Sequence, residues 1–278
     1  MAKGLSLHLG VNRVDPSHYG GFGGGEQGGW EGALAACEQD AIDLEALCRA
    51  QGFTTATLLA EAASTQAVTD AVQERAASLT VGDMFILTFS GYGGEVPDRN
   101  SEQHWRERTW ALYDRQMPED ELISLLGSFR PNVRVLVVDD SSSSGTVRRD
   151  VFSDTDLPLG DDIRRTRDLP PDVAQQTYRN HRALYDDIQS SCSSGEEAVI
   201  QAALMIMAGY SENQFGADDG HNGLFTETAL RVWDDGRFEG DHRAFVDDIA
   251  GRMPPTQTPL LTLRGSGEPY VHQRPFSL

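Results

Sequence analysis

Two stretches hold residue types that can do chemistry. In VRVLVVDDSSSSGTV, residues 133–147, an apolar run from Val133 to Val138 stops in two aspartates, four serines and a glycine. A buried strand that ends abruptly in small polar residues can present a nucleophile, here one of Ser141, Ser142, Ser143 and Ser144. In GDMFILTFSGYGGEVPD, residues 82–98, a second apolar run, Met84–Phe89, ends in Ser90, Tyr92 and three glycines.

Both polar ends need a scaffold, and the hydrophobic pattern supplies one. Leu5–Leu9, Thr55–Leu59, Met84–Phe89 and Val133–Val138 read as strands, with a small strand at Trp110–Tyr113, another over Ala198–Ala208 and a last one at Leu260–Leu263. Leu34, Cys37, Ala41, Leu44 and Cys48 recur at helical spacing and stop near Gly52. Further helices are predicted from Thr65 (Val68, Val72 and Ala76 inward), from Glu119 to Phe129, over 172–189, over Asn222–Trp233 and over His242–Met253. Acidic Glu119, Asp120 and Glu121 suit the first turn of their helix. Strands alternating with helices, the best of them continuously apolar, predict an α/β sandwich: a mostly parallel sheet covered on both faces. In such sheets ligands bind beyond the carboxyl ends of the strands, where SGYGG and DDSSSSG fall.

Composition narrows the partners. The chain has 278 residues and a net charge of −20 spread along its length. Nucleic acid and anionic membrane are repelled, and basic peptide segments or a protein partner fit better. No window of about 18 apolar residues predicts a membrane span. The first residues lack a signal-peptide layout. Three cysteines without a secretory signal predict a reducing, cytoplasmic setting and no disulfide framework. Neither CxxC nor HExxH occurs, which argues against zinc. HYGGFGGGEQGGWEG, residues 18–32, lacks the pattern of a phosphate loop and reads as a flexible surface insertion. Residues 98–108 read as polar loop, and the charged, turn-rich residues 148–172 as a long exposed connection.

Ordered blocks along nearly the whole chain resemble the caspase-like cysteine peptidases, in particular metacaspases and prokaryotic orthocaspases. They are LHLGVNRVDPSHYGG, ACEQDA, GDMFILTFSGYGGEVPD, ERTWALYDRQMPEDEL, VRVLVVDDSSSSGTV, NGLFTETALRVWDDGRFEG and RMPPTQTP. The resemblance implies one domain over 1–278: a large-subunit-like part (1–147), the connection (148–172) and a small-subunit-like part (173–278), with about six strands between helices. The family's catalytic histidine, in S-G-H-G-G, falls on Tyr92. Its nucleophilic cysteine, in D-S-C-H-S-G, falls on Ser142, and the histidine after it on Ser143.

These departures remove the chemistry that the resemblance implies. A thiol with a pKa of about 8.5 can be brought to thiolate at neutral pH, whereas a serine hydroxyl needs a base within reach. Tyr92 is a poor base, because a phenol with a reference pKa of about 10 is neutral at pH 7 and donates its proton. The expectation is a neutral Tyr–Ser pair and no cysteine-peptidase activity. The alternative is a serine-type hydrolase in which a loop histidine, His104 or His221, serves Ser142. Cys192, in SSCSSG, follows a predicted helix rather than a strand and reads as an exposed thiol.

The binding half is kept. In the resembled family one aspartate before the nucleophile and another in the G-C-x-N-D-A block hold the substrate's Arg or Lys; these positions are Asp140 and Asp40. Two carboxylates in a cleft suit a guanidinium. The connection carries Arg148, Arg149, Arg164, Arg165 and Arg167, any of which can enter such a pocket in cis. Calcium is the one cofactor that the resemblance suggests, at Asp98, Glu119 and Asp120, although six to eight oxygens are needed. The expectation is thus a caspase-fold pseudo-peptidase that binds Arg/Lys-containing peptides without cutting them, with a third reading of a structural or interaction protein whose cleft is vestigial.

Overall fold

Continuously apolar strands are stable only where both faces of a sheet are covered, and the fold meets that demand. The computed structural model describes residues 2–20, 29–99, 106–141, 167–192, 198–209, 221–255 and 257–278. A six-stranded sheet has the order β2-β1-β3-β7-β8-β9, with β1 Gly4–Gly10, β2 Thr54–Leu59, β3 Met84–Ser90, β7 Arg134–Asp140, β8 Ala203–Ala208 and β9 Leu260–Gly265. All its pairs are parallel except β8 with β9. The smaller sheet, β4-β5-β6, is antiparallel and comprises Gly93–Pro97, Arg106–Ala111 and Gln116–Pro118.

Alternation along the strands divides the core in two. Leu7, Leu9, Phe85, Leu87, Val135 and Val137 join one cluster, with side chains of α2 (Thr65–Ser78) and α3 (Glu119–Leu126). Met84, Ile86, Leu136, Val138, Met205 and Met207 join the other, with α1 (Cys37–Ala50), α6 (Leu224–Trp233) and α7 (His242–Ala250). Each fully buried Leu or Phe contributes about 1.5–3 kcal/mol. Truncating a central one such as Leu87→Ala is expected to cost about 2–5 kcal/mol. Helix starts are tied down locally: Ser64 Oγ accepts from Ala67 N, and Asp241 Oδ1 accepts from Ala244 N. For α1 the cap comes from the loop after β1, where Asn12 Oδ1 accepts from Cys37 N at 2.9 Å.

Several expectations need correction. Residues 106–108 are strand β5 rather than loop, because they pair antiparallel with Glu95–Pro97 of β4 and Glu107 is buried. GGEVP, read only as a polar strand end, forms β4. The helix expected over 172–189 is two, α4 (Pro171–Asn180) and α5 (Arg182–Ser191), broken at His181. The connection expected to be exposed has a buried end: Arg167 is 0% exposed and Leu169 3%. Its residues 148–166 lie outside the described residues, as do residues 142–147, with Ser142, Ser143 and Ser144, and residues 21–28 of the glycine-rich segment. The flanks of that segment are packed, with Tyr19 buried and the Trp30 ring set edge-on to Tyr92 at 4.7 Å. Among the described residues no helix is long and apolar enough to cross a membrane.

Candidate functional site: an acidic pocket at the strand ends

Strands β3 and β7 run in register to Ser90↔Asp140, so their carboxyl ends lie side by side. Asp140 continues the face of Val138, towards α1 and α6, while Asp139 faces the other way. Asp40 sits in the first turn of α1 and is fully buried. Both predicted pocket carboxylates therefore converge on one point, and that point is occupied by Arg167. Its Nη2 donates to Asp40 Oδ2 at 2.6 Å. Its Nη1 donates to Ser90 Oγ at 2.6 Å and to the Asp140 carbonyl at 2.7 Å, and lies 3.1 Å from Asp140 Oδ2. Ser90 Oγ in turn donates to Asp40 Oδ2 at 2.6 Å.

The start of α6 completes the pocket. Gly223 N donates to Asp40 Oδ1, and Thr226 donates to Asp140 Oδ2 from both its N–H and its hydroxyl. A helix N-terminus favours negative charge, so it holds both carboxylates in place. A Cβ at Gly223 would collide with the Arg167 guanidinium, which explains the glycine. Burial pushes Asp140 up to about 6, against the pull of Arg167; Asp40 beside it pushes the same way, and Thr226 opposes. Ser90, Gly223 and Thr226 were missed from sequence. Ser90 was legible as the small polar residue that ends a strand facing Asp140, but the α6 contributions depend on a long-range approach that spacing does not reveal.

The strand-end position at Tyr92 is closed. Tyr92 is 5% exposed, and its hydroxyl accepts from Ala33 N at 2.9 Å. Ser141, just after β7, donates from N and Oγ to Asp139 Oδ1, while Trp110 Nε1 donates to Asp139 Oδ2. Desolvation raises Asp139, and these bonds oppose the rise. Of the histidine candidates, His221 is exposed with Nε2 3.6 Å from Asp43 Oδ2, while His104, like Ser142, lies outside the described residues. Cys192 is half-buried at the end of α5, with burial raising its thiol.

The fold has counterparts among known proteins. The Caspase domain family matches residues 17–275. The chain belongs to that family. The crystal structure of protein GSU0716 from Geobacter sulfurreducens is 40% identical to this caspase-domain chain, covering 99% of it and 98% of the other, with a TM-score of 0.86. Caspase-1 from Spodoptera frugiperda shares the fold, with a TM-score of 0.54 at 8% identity over 96% of this chain and 90% of the other. No functionally curated protein matches the sequence significantly.

The calcium positions of this caspase-domain chain lie just after β4 (Asp98) and at the start of α3 (Glu119 and Asp120). Glu119 pairs with Arg108 through two bonds of 3.0 and 3.2 Å. Asp120 is buried, and its N–H donates to Glu107 Oε1 at 2.7 Å. Asp98 acts on Glu107 electrostatically, and with desolvation as the largest cause Glu107 is pushed up to about 8. Among the described residues no group of three or more His, Cys, Asp or Glu side chains is arranged to hold a metal ion.

Proposed function

We propose that this caspase-domain protein is a catalytically inactive peptidase homologue whose acidic pocket is retained as an arginine receptor. The observation that carries the reading is Arg167, fully buried and ion-paired with Asp40 and Asp140 at 2.6 and 3.1 Å. The pocket holds its own chain's arginine in the way a peptide arginine would be held. A guanidinium presents several donors in a fork, and here its two ends meet carboxylate, hydroxyl and carbonyl acceptors. A partner's arginine enters only when Arg167 withdraws. Tyr92 in place of histidine and Ser142 in place of cysteine support the loss of turnover, since loss of nucleophile or base in a comparable hydrolase costs on the order of a million-fold.

The test pairs binding with turnover. Calorimetry with arginine-containing peptides is expected to give heat with Arg167→Ala, none with the wild-type chain, and none when Asp140→Ala is added. Equal heats with and without Asp140→Ala would remove the reading. Fluorogenic Arg- or Lys-ended peptides are expected to remain uncut by both chains. Turnover abolished by Ser142→Ala would instead establish the serine-hydrolase alternative.

A further inference from the structure

The main chain around Arg167 is held as firmly as its side chain. Gly93 N donates to the Arg167 carbonyl at 2.8 Å, and Leu169 N donates to the Gly93 carbonyl at 2.7 Å. Gly93 and Asp168 form a parallel bridge. The segment thus adds to the open edge of β4, the outer strand of the small sheet. In an extended segment residues i and i+2 share a side. Arg167 fills the acidic pocket, and Leu169, two residues on, is 3% exposed in the core cluster that also holds Tyr92 and Trp110. The site for Leu169 is shaped for it: a Cβ at Gly94 would stand 2.9 Å from the Leu169 methyl and 2.7 Å from Gln116 Oε1. A glycine there leaves room for an incoming aliphatic side chain.

We infer that the site recognises a two-point ligand, an extended Arg-X-Leu segment added in parallel to the edge at Gly93, with arginine in the acidic pocket and an aliphatic side chain against Gly94. This rests on the arginine-receptor reading above and specifies its ligand. Backbone bonds supply affinity without selectivity, and the alternate side chains supply the choice. The chain's own segment is tethered at an effective concentration on the order of millimolar, so a free peptide meets an occupied site in the wild type.

The probe is the capped hexapeptide Thr-Arg-Asp-Leu-Pro-Pro, titrated by calorimetry into the full chain carrying Arg167→Ala and Leu169→Ala. The peptide is expected to bind. Its Leu→Ala version should bind at least about tenfold more weakly, from the apolar surface lost, and its Arg→Ala version not measurably. Leu and Ala versions within about twofold of each other overturn the two-point inference while leaving the arginine pocket standing. An Arg→Ala peptide that binds as well as the parent overturns the pocket reading instead. If circular dichroism shows the double variant unfolded, Arg167→Ala alone is used: the peptide must then displace Leu169, and the same rank order is required. Silence from every peptide on a folded variant overturns both.

Discussion

Replacing Arg167 by methionine keeps the packing of its stem and removes its charge. Asp40 and Asp140 are 0% and 2% exposed, so the variant leaves two facing carboxylates with no cation between them. Removing one partner from a buried ion pair costs about 3–5 kcal/mol. At about 2–3 °C per kcal/mol for a chain of this size, the melting temperature is expected to fall by roughly 6–15 °C. The fall depends on pH. Asp140 stands above its ordinary 3.8, at about 6, because burial outweighs the attraction of Arg167. A carboxyl raised in the folded state holds its proton more tightly there, so its ionisation lowers stability as pH climbs through that window. In the variant the downward pull of Arg167 is gone. Asp140 moves higher, and the penalty keeps growing above pH 6. Thermal melts of Arg167→Met and wild type at pH 5 and pH 8 are the assay, with the larger difference expected at pH 8. A fall under about 2 °C at pH 8, or equal falls at both pH values, refutes the buried-charge argument.

Three further outcomes follow from other buried polar groups. Tyr92→Phe deletes the acceptor for Ala33 N–H and is expected to cost about 1 kcal/mol and to speed hydrogen exchange at Ala33; unchanged exchange would show that the bond is not held in solution. Glu107, pushed up to about 8 from its ordinary 4.5, lowers stability as pH rises between those values, so Glu107→Gln should melt higher than wild type at pH 9 and lose that advantage at pH 5. His8, buried between Ser6 and Thr88, is pushed down to about 3, chiefly by desolvation and then by Arg75. Its neutral form contributes stability that is complete above pH 6.5 and is lost as pH falls towards 3, on the order of 5 kcal/mol in all; urea titrations between pH 7 and pH 4 should show a flatter profile for His8→Gln than for wild type.

The sheet was legible because its central strands are apolar without interruption, and the helices because Val68, Val72 and Ala76, or Leu122, Leu125 and Leu126, recur at helical spacing. The small sheet was not. GGEVP lacks an apolar run, and it becomes a strand through its antiparallel register with β5, from Gly93↔Trp110 to Pro97↔Arg106. The carboxylates Asp40 and Asp140 were named because motif position places them, whereas the choice of Arg167 among five arginines rests on backbone pairing at Gly93, which leaves no mark in composition. The division of 172–189 at His181 was missed because Tyr178 and Tyr185 keep a continuous helical rhythm across the break.

The register of β7 with β8 has a mechanical consequence. Residues before position 142 build β2, β1, β3 and β7, and residues after 166 build β8 and β9. The two sets meet along six register pairs from Arg134↔Ala203 to Asp139↔Ala208 and at the Arg167 ion pairs. Covalent continuity between the halves is not what joins the sheet. A protease nick between 142 and 166 is therefore expected to leave two fragments that migrate together in native gels and part only when the sheet itself is denatured.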